Sequence, residues 1–512
     1  MGCITSTWFS IKVNGTTIGF FKGASGLRQG DPLSPFIFVM GMEMLSRILF
    51  SIHGGYQVTY HPKCGKMRLN HLIFADDLMI FVRGDSPSVT AVSDSLDLFA
   101  NISGLRANTE KTNIYMGGVR DDVRELILRG TGYVEGTFPF RYMGVPLNDG
   151  KLNKGVFAKL LSKVQTALNT WSIHKLSYAG KINLINTIIF GMEQYWCATL
   201  LIPKGVHKLI TKFCRNFLWQ SEEGKRKMIM KSWSSCCAPY QEGGYNIKEI
   251  LSWNKCIICK WIWAIEVKSD SVWAAWHYKY NIKNDDFWAM DVKPHHSESW
   301  RSILLVRNEL ITRTGSIEGA KQVLTRSVQA GKLNLSLLYE HFRAPTAKIS
   351  WARGVWNTAV LPKHGFIMVL AMQGKLATVD KLNQKGHTVW TGVSQWLGMS
   401  NRTQNMRKEL KWIARNQQRR HWKARLYSNS LAATIYSLWE ERNGRLFREE
   451  EHGSDYILKR IQYVVSVRLL FVTNSRYKDE VSAVGPFYCL LCYPVFLPAT
   501  VFLKGSKTSN NN

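Results

Sequence analysis

Acidic residues are scarce in this chain beside basic ones. Asp and Glu number 37 against 67 Lys and Arg, which gives a formal net charge of +30 and a pI near 9.7. That balance is the electrostatic footprint of a polyanion binder. Residues 1–25 contain no carboxylate at all. The ten Cys residues follow no regular framework, and no cationic-then-apolar leader opens the chain. Both absences argue against a disulfide-stapled secreted scaffold and for a reducing, intracellular setting. Cys256-Ile-Ile-Cys259 and Cys489-Leu-Leu-Cys492 have no partner pair at zinc-finger spacing, so they read as core thiols. Internal repeats are missing, and low complexity is confined to the terminal Asn residues. One long uncharged apolar run, 481–503, raises the question of a membrane span, but Pro486, Pro494 and Pro498 would break such a helix repeatedly. Met1-Gly2-Cys3-Ile4-Thr5-Ser6 formally fits a lipidation pattern, yet Trp8 to Gly15 already reads as a strand entering a turn.

What is present is globular in character. With 512 residues, 45% of them hydrophobic and 20% charged, the chain is long enough for two to four domains with their own cores. Nineteen Trp and nineteen Tyr offer stacking faces beside the positive charge, although most Trp read as core or interface anchors.

The chain is organised around His71-Leu72-Ile73-Phe74-Ala75-Asp76-Asp77-Leu78-Met79-Ile80-Phe81-Val82. Two apolar runs of strand composition flank a tight acidic turn, which predicts a β-hairpin with Asp76 and Asp77 at its tip. Adjacent carboxylates repel each other, and a divalent cation between them removes the cost. Paired Mg²⁺ ions held in this way catalyse in-line displacement at phosphorus. A solvated Asp-Asp turn is the other reading.

Upstream, 1–22 reads as two strands joined at Asn14-Gly15, a strong hairpin signal. Gly26-Leu27-Arg28-Gln29-Gly30-Asp31-Pro32-Leu33-Ser34-Pro35 then forms an irregular loop before an apolar helix over 36–49. Arg28 and Gln29 offer donors to a phosphate or a base edge, and a helix start follows that favours anions.

With these residues in view, the sequence resembles the reverse transcriptase of non-LTR, LINE-type retrotransposons of plant genomes. Phe74-Ala75-Asp76-Asp77 resembles the family's catalytic hairpin, and Gly26 to Pro35 its template- and nucleotide-positioning motif. Ser103-Gly104-Leu105-Arg106-Ala107-Asn108 through Glu110-Lys111-Thr112 resembles the next motif, and Tyr142-Met143-Gly144-Val145-Pro146-Leu147 the primer-grip turn. Four motifs in the right order within one region carry the likeness.

The resemblance implies Mg²⁺ or Mn²⁺ on Asp76 and Asp77, an RNA template, a DNA primer and deoxynucleoside triphosphates. It gives Arg28, Gln29, Gly30, Pro32 and Ser34 a positioning role and makes Tyr142, Met143 and Gly144 the primer grip. Lys111 is either a neutraliser or proton donor for pyrophosphate, or a solvated lysine at a strand edge. Lys175-Leu176-Ser177-Tyr178-Ala179-Gly180-Lys181 resembles the segment beyond the palm, with Lys175 and Lys181 as nucleic-acid contacts and an apolar stripe at Ile182, Ile185, Ile188 and Ile189. The basic stretch 407–425, with Arg415, Arg419 and Arg420 beside Trp412 and Trp422, is either a further contact or a solvated face.

The implied fold is α+β: an incomplete polymerase palm, an antiparallel sheet with helices, followed by a mainly helical thumb and C-terminal region. Residues 1–147 read as the partial palm, 148–270 as the thumb-like region and 271–350 as a helical connection. Residues 351–387 resemble the start of the family's zinc-binding domain without its ligands, so no zinc is expected. A basic helical region, 388–475, and a divergent apolar tail, 476–512, complete the chain. The family takes a third carboxylate from a strand before the Gly26 motif, and none is found there. The resemblance therefore implies a C-terminal part of a retrotransposon polyprotein, nuclear in location and inactive as a polymerase alone. Two alternatives stand beside it: a non-catalytic RNA- or DNA-binding protein, and a membrane-associated protein using the 481–503 run or Gly2.

Overall fold

A computed structural model describes residues 7–23, 26–28, 30–55, 58–148, 154–174, 176–219, 229–376, 383–398, 412 and 422–473. Gln29, Lys175, Arg415, Arg419, Arg420, the Cys489–Cys492 pair, residues 1–6 and the tail from 476 lie outside the described residues. The chain divides into two compact units. One comprises Met1–Val156, Thr199–Leu201 and Cys256–Leu338, the other Phe157–Ala198, Ile202–Lys255 and Tyr339–Asn512.

The first unit opens with an antiparallel hairpin, β1 (Trp8–Val13) and β2 (Thr16–Lys22). Asn14 and Gly15 both take positive φ, 48° and 87°, as a two-residue turn matched to the twist of its strands requires. Helix α1 (Ser34–Gly55) follows, then β3 (His71–Phe74) and β4 (Asp77–Ile80). Helix α2 (Ser86–Ser103) starts where Asp85 accepts a hydrogen bond from the Ser88 amide at 2.9 Å and ends at Gly104, with φ 75°. Leu45 and Leu49 of α1 and Phe99 of α2 form a small core, and Leu78 and Ile80 of β4 pack against it. The stretch 34–52 is long and apolar enough to cross a membrane, and here it supplies that core. Its other face is open: Phe36 is 70% and Met40 73% exposed.

Beyond α2, β5 (Asn113–Ile114) runs parallel to β6 (Val134–Glu135) across helix α3 (Asp121–Thr131). A last hairpin joins β7 (Phe140–Tyr142) to β8 (Val145–Leu147). The α+β class is as expected, but the strands among the described residues form five separate two-stranded sheets, one of them parallel, and not one antiparallel sheet. These strands are short, with β5 and β6 only two residues each. Further along, Trp276 Nε1 donates to the Lys63 carbonyl at 2.8 Å, and the buried Arg307 guanidinium donates to the carbonyls of Phe287 and Met290.

The second unit is helical. Helix α4 (Ala158–Ser172) is followed by α5 (Tyr178–Leu184), a π-helical turn (Ile185–Ile189) and α6 (Phe190–Thr199). Helix α7 (Lys204–Trp219) packs on α4. Ile182, Ile185 and Ile189 are buried, as their spacing predicts, and Ile188 is half-buried. The turn around Gly243 is tied to Arg343, whose guanidinium bonds the Glu242 carboxylate through two nitrogens, one at 2.8 Å. That pairing holds Glu242 at about 2, well below its ordinary range. In the first unit, Cys256 and Cys259 are buried thiols outside any disulfide, as read from their setting.

Candidate active site

The Asp76–Asp77 hairpin is built from its base upward. Strands β3 and β4 pair His71 with Ile80, Leu72 with Met79, Ile73 with Leu78 and Phe74 with Asp77, leaving Ala75 and Asp76 as the turn. Ala75 takes φ 52°, a left-handed conformation that costs an L-residue about 1–2 kcal/mol. At the base, Asn70 is buried, and its Nδ2 donates to the Leu49 carbonyl at 2.6 Å. Its Oδ1 is thereby fixed as the acceptor for His71 Nδ1–H at 2.7 Å. His71 Nε2 lies 2.6 Å from the Ser46 hydroxyl and accepts from it when the imidazole is neutral. Burial also pushes the His71 pKa down.

Both carboxylates are exposed, and neither forms an ion pair or hydrogen bond among the described residues. Their hard oxygen donors suit Mg²⁺ or Mn²⁺, and Asp76 and Asp77 would hold the ion. Among the described residues no third His, Cys, Asp or Glu joins them to form a metal-binding group.

The loop before α1 holds its shape through its own hydrogen bonds. Gly26 and Gly30 take φ of 85° and 87°, Asp31 Oδ1 accepts from the Leu33 amide at 2.8 Å, and the Ser34 hydroxyl donates to the Arg28 carbonyl at 2.6 Å. This leaves the Arg28 and Pro32 side chains exposed and Ser34 engaged with the loop itself. Tyr142, Met143, Gly144 and Val145 form a turn with φ of 49° and 81° at Met143 and Gly144, closing β7–β8. Lys111 is exposed in a turn that Asn108 organises, its amide bonded to Asn108 Oδ1 at 3.1 Å. That turn leads into β5–β6, which is not hydrogen-bonded to the Asp76–Asp77 hairpin. In the second unit, Lys181 is half-buried with Nζ 5.5 Å from the Phe217 ring centroid, so its stem covers an aromatic ring. Sequence reasoning missed Ser46, Asn70 and His71 as the support of the hairpin, since their pairing spans 25 residues.

Residues 2–147 match the family model of the reverse transcriptase, an RNA-dependent DNA polymerase. These residues belong to that family. A retrovirus-related Pol polyprotein from the type-2 retrotransposable element R2DM of Drosophila melanogaster is 35% identical over 102 residues, 20% of this chain and 9% of that protein. Its counterpart from the type-1 element R2 of Popillia japonica is 31% identical over 111 residues, 22% of this chain and 17% of its own length. A protein of Arabidopsis thaliana named as a ribonuclease H protein is 28% identical over 182 residues, covering 35% of this chain and 29% of the relative. The chain thus spans less than a third of the length of each.

Proposed function

We propose that this reverse transcriptase segment contributes two of the carboxylates of an RNA-directed DNA polymerase site and does not complete that site alone. The observation that carries the reading is the exposed, unpaired Asp76–Asp77 pair on a hairpin anchored within the matched region. In the reaction the primer 3′-hydroxyl loses its proton and forms a bond to the α-phosphorus of a deoxynucleoside triphosphate, while the bond to pyrophosphate breaks. Divalent cations, when bound, supply charge neutralisation at the attacking and leaving oxygens. Asp76 and Asp77 hold that charge in place. Lys111 serves the departing pyrophosphate. Arg28, Gln29, Gly30, Pro32 and Ser34 position the template and nucleotide, and the Tyr142-Met143-Gly144 turn holds the primer end. The first stretch then acts as part of a palm and the helices α4–α7 as a thumb, with RNA template and DNA primer as partners.

The ligand count supports inactivity of the chain alone. Residues 1–25 carry no acid, and no third ligating side chain joins the pair among the described residues. The test is primer extension by the 512-residue chain on poly(rA) with an oligo(dT) primer, dTTP and Mg²⁺ or Mn²⁺. Incorporation no greater than that of the Asp76→Ala/Asp77→Ala variant is expected. Incorporation that the two substitutions abolish would overturn the incomplete-site reading. The charge of +30 supports a second reading, a non-catalytic nucleic-acid binder, which the same pair of proteins would show as salt-dependent RNA binding without synthesis.

A further inference from the structure

From Gly150 to Trp219 the sequence holds ten Lys and Arg residues and a single carboxylate, Glu193. That carboxylate is inside the protein. Glu193 is 1% exposed, and neither oxygen has a hydrogen-bond partner among the described residues. Burial pushes its pKa up to about 8, so it carries little charge at neutral pH. The region therefore presents positive charge with nothing of its own to offset it.

Helix α7 orders part of that charge. Lys204, Lys208 and Lys212 recur every fourth residue, and all three are exposed. At 1.5 Å per residue they form a row about 12 Å long. The row lies on the face turned away from Val206, Ile210, Cys214 and Leu218, which are buried. None of the three lysines has an ion-pair partner among the described residues. Two carboxylates act on this helix from its buried side, Glu193 through Cys214 and Glu249 through His207, and the Glu249 oxygens accept from the Leu251 and Ser252 amides at 3.2 and 2.7 Å.

Helix stability does not account for the row. The first turn of α7 has no acidic residue and its last turn no basic one. Lys204 sits at the first turn, where the helix dipole repels a cation. Helix α4, packed on α7, repeats the pattern with exposed Lys159 and Lys163 and likewise lacks an acid in its first turn. The row contains no aromatic side chain on which a base would stack, so its partner is a backbone and not a base sequence.

We propose that Lys204, Lys208 and Lys212 grip the phosphate backbone of a nucleic-acid strand without regard to its sequence. The proposal rests on the polymerase-family reading only for the identity of that strand, a template or primer.

The test measures anisotropy of a labelled 20-base-pair RNA–DNA duplex with the full chain, titrated from low to moderate salt, on two unrelated duplex sequences. Replacing Lys204, Lys208 and Lys212 by Gln should lower the slope of log K against log salt by about 2–3, with equal loss on both sequences. A charge-matched control, Lys268→Gln/Lys293→Gln/Lys332→Gln, should leave the slope unchanged. Far-UV circular dichroism and the unfolding transition of each variant establish that the fold is kept. A parent chain that fails to bind, a slope that survives the α7 substitutions, or an equal loss in the control would each overturn the row. Primer extension reports on the catalytic reading and the salt slope on the row, so failure of each is read separately.

Discussion

Asn70 commits its amide to the Leu49 carbonyl, and that single bond makes its Oδ1 the acceptor for His71 Nδ1–H. Nothing in the sequence around Asn70 announces this, because the partners Leu49 and Ser46 come from a helix 21 to 25 residues earlier. Glu193 was equally hidden. Set in Gly191-Met192-Glu193-Gln194-Tyr195, it has the look of a solvent-facing helix residue, yet its neighbours are the buried thiols of Cys197 and Cys214. An acid whose folded pKa is raised from 4.5 to about 8 binds its proton more tightly when folded. Its contribution to stability is therefore full below pH 4.5 and is lost as pH rises to about 8. The buried His207, His277 and His364, pushed down to about 4, about 4 and about 3, act in the opposite sense until the pH is well above their ordinary value of 6.5. Between pH 6.5 and 8 Glu193 by itself should cost about 2 kcal/mol of stability, and the histidines offset part of that in the parent. Denaturant titrations should show the Glu193 share as the difference between the pH slopes of the parent and Glu193→Gln. An identical slope in the two proteins would contradict the buried, unpartnered carboxyl.

At the scale of elements, turns and the hairpins they join were legible, and the parallel pairing was not. Asn14-Gly15 forms the turn that its residue types require, and the apolar runs around Asp76 and Asp77 form the hairpin that their spacing predicts. The parallel β5–β6 pair escaped notice because two-residue strands carry no period to read. Lys181, read as a nucleic-acid contact from its place at a basic helix entry, also lies with its ammonium near the Phe217 ring, a packing that the sequence did not announce. The Glu242-Gly243-Gly244-Tyr245 segment shows what a sequence conceals about backbone approach. A Cβ on Gly244 would lie 1.8 Å from the Ala238 carbonyl oxygen, whereas a Cβ on Gly191, within α6, would meet nothing. Gly244→Ala should therefore destabilise the chain by about 3 kcal/mol or more, because backbone has to move. Gly191→Ala should stabilise it by about 0.5–1 kcal/mol through helix propensity. Thermal unfolding of the two variants separates these outcomes, and equal melting temperatures would contradict the close approach at Gly244.

Across the whole molecule, positive charge and a short supply of carboxylates act together. The +30 balance suits a phosphate backbone, and it also means that each acid in a reactive position lacks spare neighbours. The first unit leaves apolar surface open on α1 and on the β1–β2 hairpin, where Phe20 is 75% exposed, and its strands pair only two by two. Unpaired edges and open apolar faces are the features of a sheet without further strands beside it. The relatives are several times longer than the stretches they share with this chain. The central claim, that Asp76 and Asp77 belong to a polymerase site needing one more carboxylate, is tested most directly by joining an upstream carboxylate-bearing strand from the genomic sequence to this chain. Incorporation of dTTP on poly(rA) would then be measured with and without Asp76→Ala/Asp77→Ala. The account predicts incorporation by the joined protein and its loss on either single substitution. Synthesis that persists after both substitutions would place the catalytic carboxylates elsewhere and contradict it.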